Sequence, residues 1–383
     1  MTLTTELTNL TEMEVDALTD QDGGLNLTDG HARLGLSAQQ AAIVAGIPEM
    51  FAEASARPFP EIEREAHVAF LGAIGQRTAL TAAKRILSCY SSTLATDIVA
   101  RALPAGAEIA VLHPTFDNIA DLFTTRGLSL TALTEEQLLA CQWPAPPVRA
   151  IAVTHPNNPT GLVTPEGHLR SLAEHAARHG QTVIVDASFR GQVPAAQYDT
   201  YAVLEAAGAD WIVIEDTGKL WPTHELKIGM LAYSRRTRLP IGRAFSESLL
   251  AASPVVLRLV RALAEDWVNG GRERAAALVE RNRATVREAI AQAGLQLADP
   301  DSQISVARVM LPEGGPDSEL LYKDLLEHGV HVLPCSPFHW ADPDAGRRFI
   351  RLSLARPAET VEAGARTLAK SYIELSGATA RAA

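Results

Sequence analysis

The chain has 383 residues, 47% of them hydrophobic and 21% charged, with 34 Lys and Arg against 45 Asp and Glu, a formal charge of −11. That composition gives a folded protein with a substantial core and excludes wholesale disorder, and the negative field excludes nucleic acid and anionic lipid as expected partners. Cys89, Cys141 and Cys335 are odd in number and far apart. They make neither a disulfide framework nor a zinc-finger spacing and fit a reducing cytoplasm.

Residues 1–36 are polar and turn-rich, with Glu6, Glu12, Glu14, Asp16, Asp20 and Asp22 and the turns Asp22-Gly23-Gly24 and Asp29-Gly30. Without a basic start or an apolar stretch this is no signal or transit peptide, and it reads as an arm docked on the body. No apolar run approaches the roughly 18 residues of a membrane span. Helical periodicity is predicted for Ser37 to Ala56 and for Pro60 to Ile74.

From Ser88 to Tyr233, β-type runs alternate with helix-length stretches. The predicted strands are Glu108 to Leu112, Arg149 to Thr154, Thr182 to Asp186, Trp211 to Glu215 and Gly229 to Tyr233. Strands separated by helices imply crossover connections and a mostly parallel, doubly wound α/β sheet, in which ligands bind at the carboxyl ends of the strands. Polar clusters follow these runs directly: His113-Pro114-Thr115-Phe116, His155-Pro156-Asn157-Asn158, Asp186-Ala187-Ser188 and Glu215-Asp216-Thr217-Gly218-Lys219. All are expected on one rim.

A helical connector, Val255 to Ala293, leads to a small α+β block with strands Ser305 to Leu311 and Arg348 to Leu354 and helices Asp317 to His328 and Glu359 to Leu375. The expected division is an arm or lid (1–36), a large domain (37–265) and a connector helix with a small domain (266–383). The small-residue tail Ser376 to Ala383 is expected to fray. His328, His331 and His339 lack a companion carboxylate or cysteine at ligand spacing, so no metal site is expected.

Pro156-Asn157-Asn158-Pro159-Thr160-Gly161, Asp186 after one strand and Lys219 after another resemble, in that order, the fold-type I pyridoxal 5′-phosphate enzymes, with a large domain and a small α+β domain. Any one of these pieces is common; an isolated Asp after a strand is often only a helix cap. The resemblance implies that Lys219 forms the Schiff base with the cofactor and takes the Cα proton, a task favoured where burial makes its amine easier to deprotonate. It implies Asp186 beside the pyridine nitrogen, Asn158 at the ring hydroxyl and Phe116 stacked on the ring. Ser91, Ser92 and Thr93 at a helix start, with Lys227 and Ser188, are implied around the phosphate. Arg351 is implied as the bidentate clamp on the substrate α-carboxylate. Phe189 stands where many aminotransferases have a tyrosine, a departure that puts ordinary transamination in doubt.

Longer segments resemble a narrower actinobacterial subgroup, the oxygen-consuming L-arginine oxidases of antibiotic pathways. They include Asp29-Gly30-His31-Ala32-Arg33, Ser88-Cys89-Tyr90-Ser91-Ser92, His113 to Asp121, Ser188-Phe189-Arg190-Gly191, Ile214 to Thr223 and Leu333-Pro334-Cys335 with Phe338-His339-Trp340. This likeness implies oxidation of L-arginine by dioxygen without metal or flavin, to 4-hydroxy-2-oxoarginine with 2-oxoarginine as a side product, ammonia and hydrogen peroxide. Dehydrogenases of the subgroup give an unsaturated product instead. It implies Glu14 and Asp216 as guanidinium ligands, and Thr11, Asp29 and His31 over the reacting carbons, with His31 carrying a proton or positioning water. A homodimer is implied as well. Two readings stand beside it: an aminotransferase for a basic amino acid, and a binding protein on a retired fold of this type.

Overall fold

The computed structural model describes residues 9–20, 23–222 and 225–382. Glu6, Asp22 and Thr223 of the sequence reading lie outside them. The centre is a seven-stranded sheet built from β1 (Ala83–Cys89), β2 (Glu108–His113), β3 (Ser129–Thr134), β4 (Ala150–Thr154), β5 (Thr182–Asp186), β6 (Asp210–Asp216) and β7 (Gly229–Ser234). The spatial order is β1-β7-β6-β5-β4-β2-β3. Only β7 is antiparallel to its neighbours, β1 and β6; the other pairings are parallel. β4 is buried throughout, as a strand covered by helices on both faces must be. Two apolar clusters, one centred on Val183, Val185 and Trp211 and the other on Ile109, Ile184 and Ile212, hold the alternate faces of these strands.

A second, four-stranded antiparallel sheet has the order Leu333–Pro334, Phe349–Ser353, Val306–Met310, Gln296–Leu297. It packs under helices Arg272–Ala291, Ser318–Glu327 and Ala358–Ala382 around Leu27, Val309, Leu352 and Leu368. The arm is sewn to this part of the molecule. Leu25–Asn26 pairs in parallel with Val330–His331, and Ser353 donates its backbone N–H to the Leu27 carbonyl at 2.8 Å.

Several expectations need correction. The periodic stretch 37–56 is two helices, Ala38–Ala45 and Ile47–Ala56, because Gly46 closes the first and Pro48 starts the second. The connector is broken at Trp267–Gly271, where Asn269 and Gly270 leave helical geometry and Gly270 has φ 101°. Its two pieces are Pro254–Asp266 and Arg272–Ala291. The last helix runs on past Ser376 to Ala382, through alanines, the strongest helix formers. The arm contains a helix that turn signals did not suggest, Leu10–Thr19, capped by the Asn9 side chain. Among the described residues no helix is long and apolar enough to cross a membrane.

Candidate active site

The carboxyl ends of β2, β4, β5 and β6 open into a cavity of about 330 Å³ roofed by the arm. Each polar cluster read after a strand contributes to its lining: Phe116, Asn158, Asp186 with Ser188, and Asp216 with Lys219. Ser91, Ser92 and Thr93 line it from the start of helix Ser92–Ala102, where the Ser91 hydroxyl accepts the Leu94 N–H at 3.1 Å. Thr11, Glu14 and His31 line it from the arm, Lys227 from the loop before β7, and Arg351 from the small sheet.

Asp186 stands half-buried at the end of β5, on the cavity floor. Its Oδ1 accepts the Ser188 hydroxyl at 2.6 Å and the Ser188 backbone N–H at 2.9 Å, and burial pushes its carboxyl pKa upward. It makes no ion pair among the described residues. Lys219 stands three residues beyond β6, its amine 5.6 Å from the Phe189 ring centroid. Burial lowers the lysine pKa, opposed by the charges of Asp216 and Glu14. A half-buried acid outside any ion pair among the described residues, an amine with a lowered pKa and a helix N-terminus facing one cavity fit pyridoxal 5′-phosphate. Asp186 would pair with the ring nitrogen, Lys219 with the aldehyde, and the Ser91 to Thr93 turn with the phosphate.

The side-chain partners refine four expectations. Ser188 gives its hydroxyl proton to Asp186, so it braces the acid and is not poised as a phosphate donor. Lys227 places its amine 2.9 Å from His31 Nε2 and 2.6 Å from Glu225 Oε2, so a phosphate would have to draw it away from both. Asp216 is both cavity wall and cap, accepting the backbone N–H of Ser92 at 3.1 Å and of Gly218 at 2.6 Å. Asn158 Oδ1 accepts from Arg351 Nη1 at 3.0 Å, which leaves its amide nitrogen for a ring oxygen.

Asp29 is the clearest correction, because it does not line the cavity. It lies behind His31, 1% exposed, and accepts the His31 N–H at 2.8 Å, Arg33 Nε at 2.7 Å and an ion pair from Arg356 at 3.2 Å. Its Oδ1 is also 3.1 Å from His31 Nδ1. With the proton on Nδ1 donated to Asp29, the Nε2 lone pair faces Lys227, and Lys219 at 3.5 Å. Burial, then the charge of Lys219, pulls the His31 pKa down to about 4, so the ring is neutral at pH 7.

Arg351 is 1% exposed and lies over the Phe338 ring at 5.0 Å. It pairs with Glu14 at 3.6 Å and donates to the Thr28 carbonyl. Residues assigned to opposite ends of one substrate thus neutralise each other, and burial raises the Glu14 pKa against the pull of Arg351. Phe338 also packs on Phe116, with centroids 5.9 Å apart. Thr11 accepts from Asn118 Nδ2 at 2.7 Å, and Asp117 accepts the Leu10 N–H at 2.8 Å. Asp117, Asn118 and Phe338 carried no role in the sequence reading, although the segments that resemble the oxidases contain all three.

Residues 37–368 match the family described as aminotransferase class I and II. Among solved structures, MppP soaked with the product 2-ketoarginine is 42% identical, with a TM-score of 0.86 over 91% of this chain and 100% of that one. Aspartate aminotransferase from Thermus thermophilus with maleate superposes with a TM-score of 0.77 at 18% identity, over 96% of this chain and 97% of that one, a likeness of fold. Among curated proteins, LL-diaminopimelate aminotransferase of Dehalococcoides mccartyi (strain ATCC BAA-2100 / JCM 16839 / KCTC 5957 / BAV1) is 27% identical over 226 residues. That match spans 58% of this chain and 56% of the relative, little more than half its length.

Proposed function

As a member of the class I and II aminotransferase family with pyridoxal 5′-phosphate as its cofactor, the chain is an enzyme of amino acids, and we propose that it oxidises L-arginine with dioxygen. The product is 4-hydroxy-2-oxoarginine, with 2-oxoarginine on the side, and the setting is natural-product biosynthesis in the cytoplasm by a homodimer. The observation that carries this reading is the charge pattern of one cavity: a carboxylate clamp, Arg351, and two acids suited to a guanidinium, Glu14 and Asp216, around the Asp186 and Lys219 pair. The 42% identity to a protein whose product is 2-ketoarginine supports the same substrate.

When bound, the cofactor withdraws electrons from the substrate Cα and stabilises the carbanion formed there. The chain's own residues supply the rest. Arg351 holds the α-carboxylate; Glu14 then exchanges Arg351 for the guanidinium, so the buried acid keeps a cationic partner throughout. Lys219 removes the Cα proton, a step that burial favours by making its amine easier to deprotonate. His31, neutral with its Nδ1 proton engaged by Asp29, presents Nε2 as a second base or as an acceptor that orients a water. The arm excludes bulk solvent while this happens.

The electron count closes. One pair leaves in forming the 2-oxo acid and a second in placing oxygen at Cγ. Each pair reduces one dioxygen to hydrogen peroxide, while two waters supply the keto and hydroxyl oxygens and the amine leaves as ammonia.

The test is oxygen uptake by the cofactor-loaded protein on adding L-arginine without any 2-oxo acid, followed by mass analysis. Uptake with a product one oxygen heavier than 2-oxoarginine is expected. Uptake with a product two hydrogens lighter would instead make it a dehydrogenase. Turnover only on adding a 2-oxo acid would restore the aminotransferase reading, which the likeness to LL-diaminopimelate aminotransferase favours.

A further inference from the structure

We propose that dioxygen reaches the active centre through a second, narrow crevice that meets the main cavity at Lys219, separate from the arm-covered mouth; this rests on the oxidase reading above. The crevice has a volume of about 30 Å³ and lies between helix Arg272–Ala291, the helix break at Trp267–Gly271 and the arm segment around Ala32 and Leu34. Ala276 and Gln303 are exposed and mark its outer end, whereas Leu220, Ser305 and Ala355 are buried. Lys219 lines this crevice and the main cavity alike.

The two spaces suit different molecules. The main cavity presents Glu14, Asp186, Asp216, Lys219, Lys227 and Arg351, charges that hold water until an ionic substrate replaces it. The crevice is walled chiefly by Leu34, Leu220, Trp267, Leu278, Val279 and Ala355. Gln303 stands at the exposed outer end, and the polar side chains further in are engaged with protein. Gln192 donates to the Lys219 carbonyl at 2.6 Å and to Ser305 Oγ at 3.0 Å, and accepts the Ser305 N–H at 2.8 Å. Ser305 donates its hydroxyl to the Gly30 carbonyl at 3.1 Å, and Arg272 donates to Gln197 Oε1 at 3.1 Å. The Trp267 indole nitrogen is sealed in the core, so its donor is not offered to the crevice.

A water held in so small a space needs roughly two to four polar partners, whereas small apolar ligands occupy dry apolar cavities without them. Dioxygen is apolar and of fitting size. Bound arginine and the docked arm would fill the charged route at the moment the gas is needed, so a separate apolar route removes the conflict between excluding water and admitting oxidant.

The experiment narrows the outer end with Ala276→Phe and, as a milder variant on the same exposed helical position, Ala276→Leu. In the holoenzyme, kcat/KM for dioxygen should fall by roughly an order of magnitude in the first and less in the second. kcat/KM for L-arginine at saturating dioxygen, and the anaerobic absorbance change on adding L-arginine, should match wild type. Crystals of the holoenzyme under xenon should show the gas beside Leu220 and Val279 in wild type and not in Ala276→Phe. An unchanged dioxygen dependence in both variants, or xenon absent from the wild-type crevice, would overturn the inference and leave the oxidase reading standing. A wild-type enzyme that consumes no dioxygen would sink the oxidase reading and this inference with it.

Discussion

Asp186 and Asp216 end adjacent parallel strands, each with backbone N–H donors of its own, and Lys219 follows within three residues of β6. Thr11 and Glu14 stand instead on the arm helix, held by the buried Leu10, the Asp117 and Asn118 hydrogen bonds and the Glu14 pair with Arg351. His31 lies on a segment sewn down by strand pairing, the buried Leu27 and the Arg356 guanidinium. The floor is thus fixed by the sheet, at the cost of the whole fold, while the arm helix, with only Leu10 and Ala17 buried, is the part of the roof that costs least to release. The difference matches the division of labour a covered active site requires: cofactor chemistry on a rigid base, substrate choice and water control on a part that opens.

The comparison can be broken first at the floor. Lys219→Ala removes the cofactor's amine partner and the Cα base together, and turnover should fall by at least about 10³-fold while far-UV circular dichroism stays unchanged. A residual rate within tenfold of wild type would mean that another group carries the proton. At the roof, Glu14→Gln removes a charge-assisted contact worth roughly 1.5–3 kcal/mol, so KM for L-arginine should rise by about 10- to 100-fold. KM for a neutral amino acid of similar length, such as norleucine, should not rise in parallel. A parallel rise for both substrates would show that Glu14 only holds the arm in place.

The smallest effect concerns His31. In the docked arm its pKa is pulled down to about 4, against an ordinary value of 6.5 once the arm is free. A proton therefore binds the free arm more tightly, so the histidine's contribution to docking is complete above pH 6.5. It is lost as the pH falls from 6.5 towards 4, by up to about 1.4 kcal/mol per unit. Glu14, raised by burial, works in the opposite direction, but equally in wild type and in His31→Gln. The difference between the two proteins in hydrogen-exchange protection of the arm, measured without cofactor across that window, isolates the histidine. Identical acid dependence would show that His31 is charged or solvated in the docked arm. In the loaded enzyme the same variant should shift product towards 2-oxoarginine with substrate binding retained.

The interior of the sheet was legible because β2, β4, β5, β6 and β7 are apolar runs bounded by polar clusters. β1 and β3 were not, and both are edge strands. Lys84 and Arg85 in β1 are exposed, and β3 has only one buried residue, Leu133, so neither shows the signal of a strand covered on both faces. The arm helix escaped for a similar reason, since only Leu10 and Ala17 of its ten residues are buried.

By itself the sequence determined the order of strands and of the polar clusters after them, and hence that Asn158, Asp186, Asp216 and Lys219 share one rim. A parallel sheet delivers all its strand ends to the same edge, whatever the details of packing. Only the tertiary structure decided that Asp29 stands behind His31, that Ser188 serves Asp186, that Glu14 rests against Arg351, and that an apolar crevice reaches Lys219 from the other side. Two of these four join parts of the chain that packing alone brings together, and even the neighbours Asp29 with His31 and Ser188 with Asp186, each two residues apart, are committed by where a side-chain proton points. A hydrogen bond is made or lost within about half an ångström, a precision that spacing along the chain does not carry.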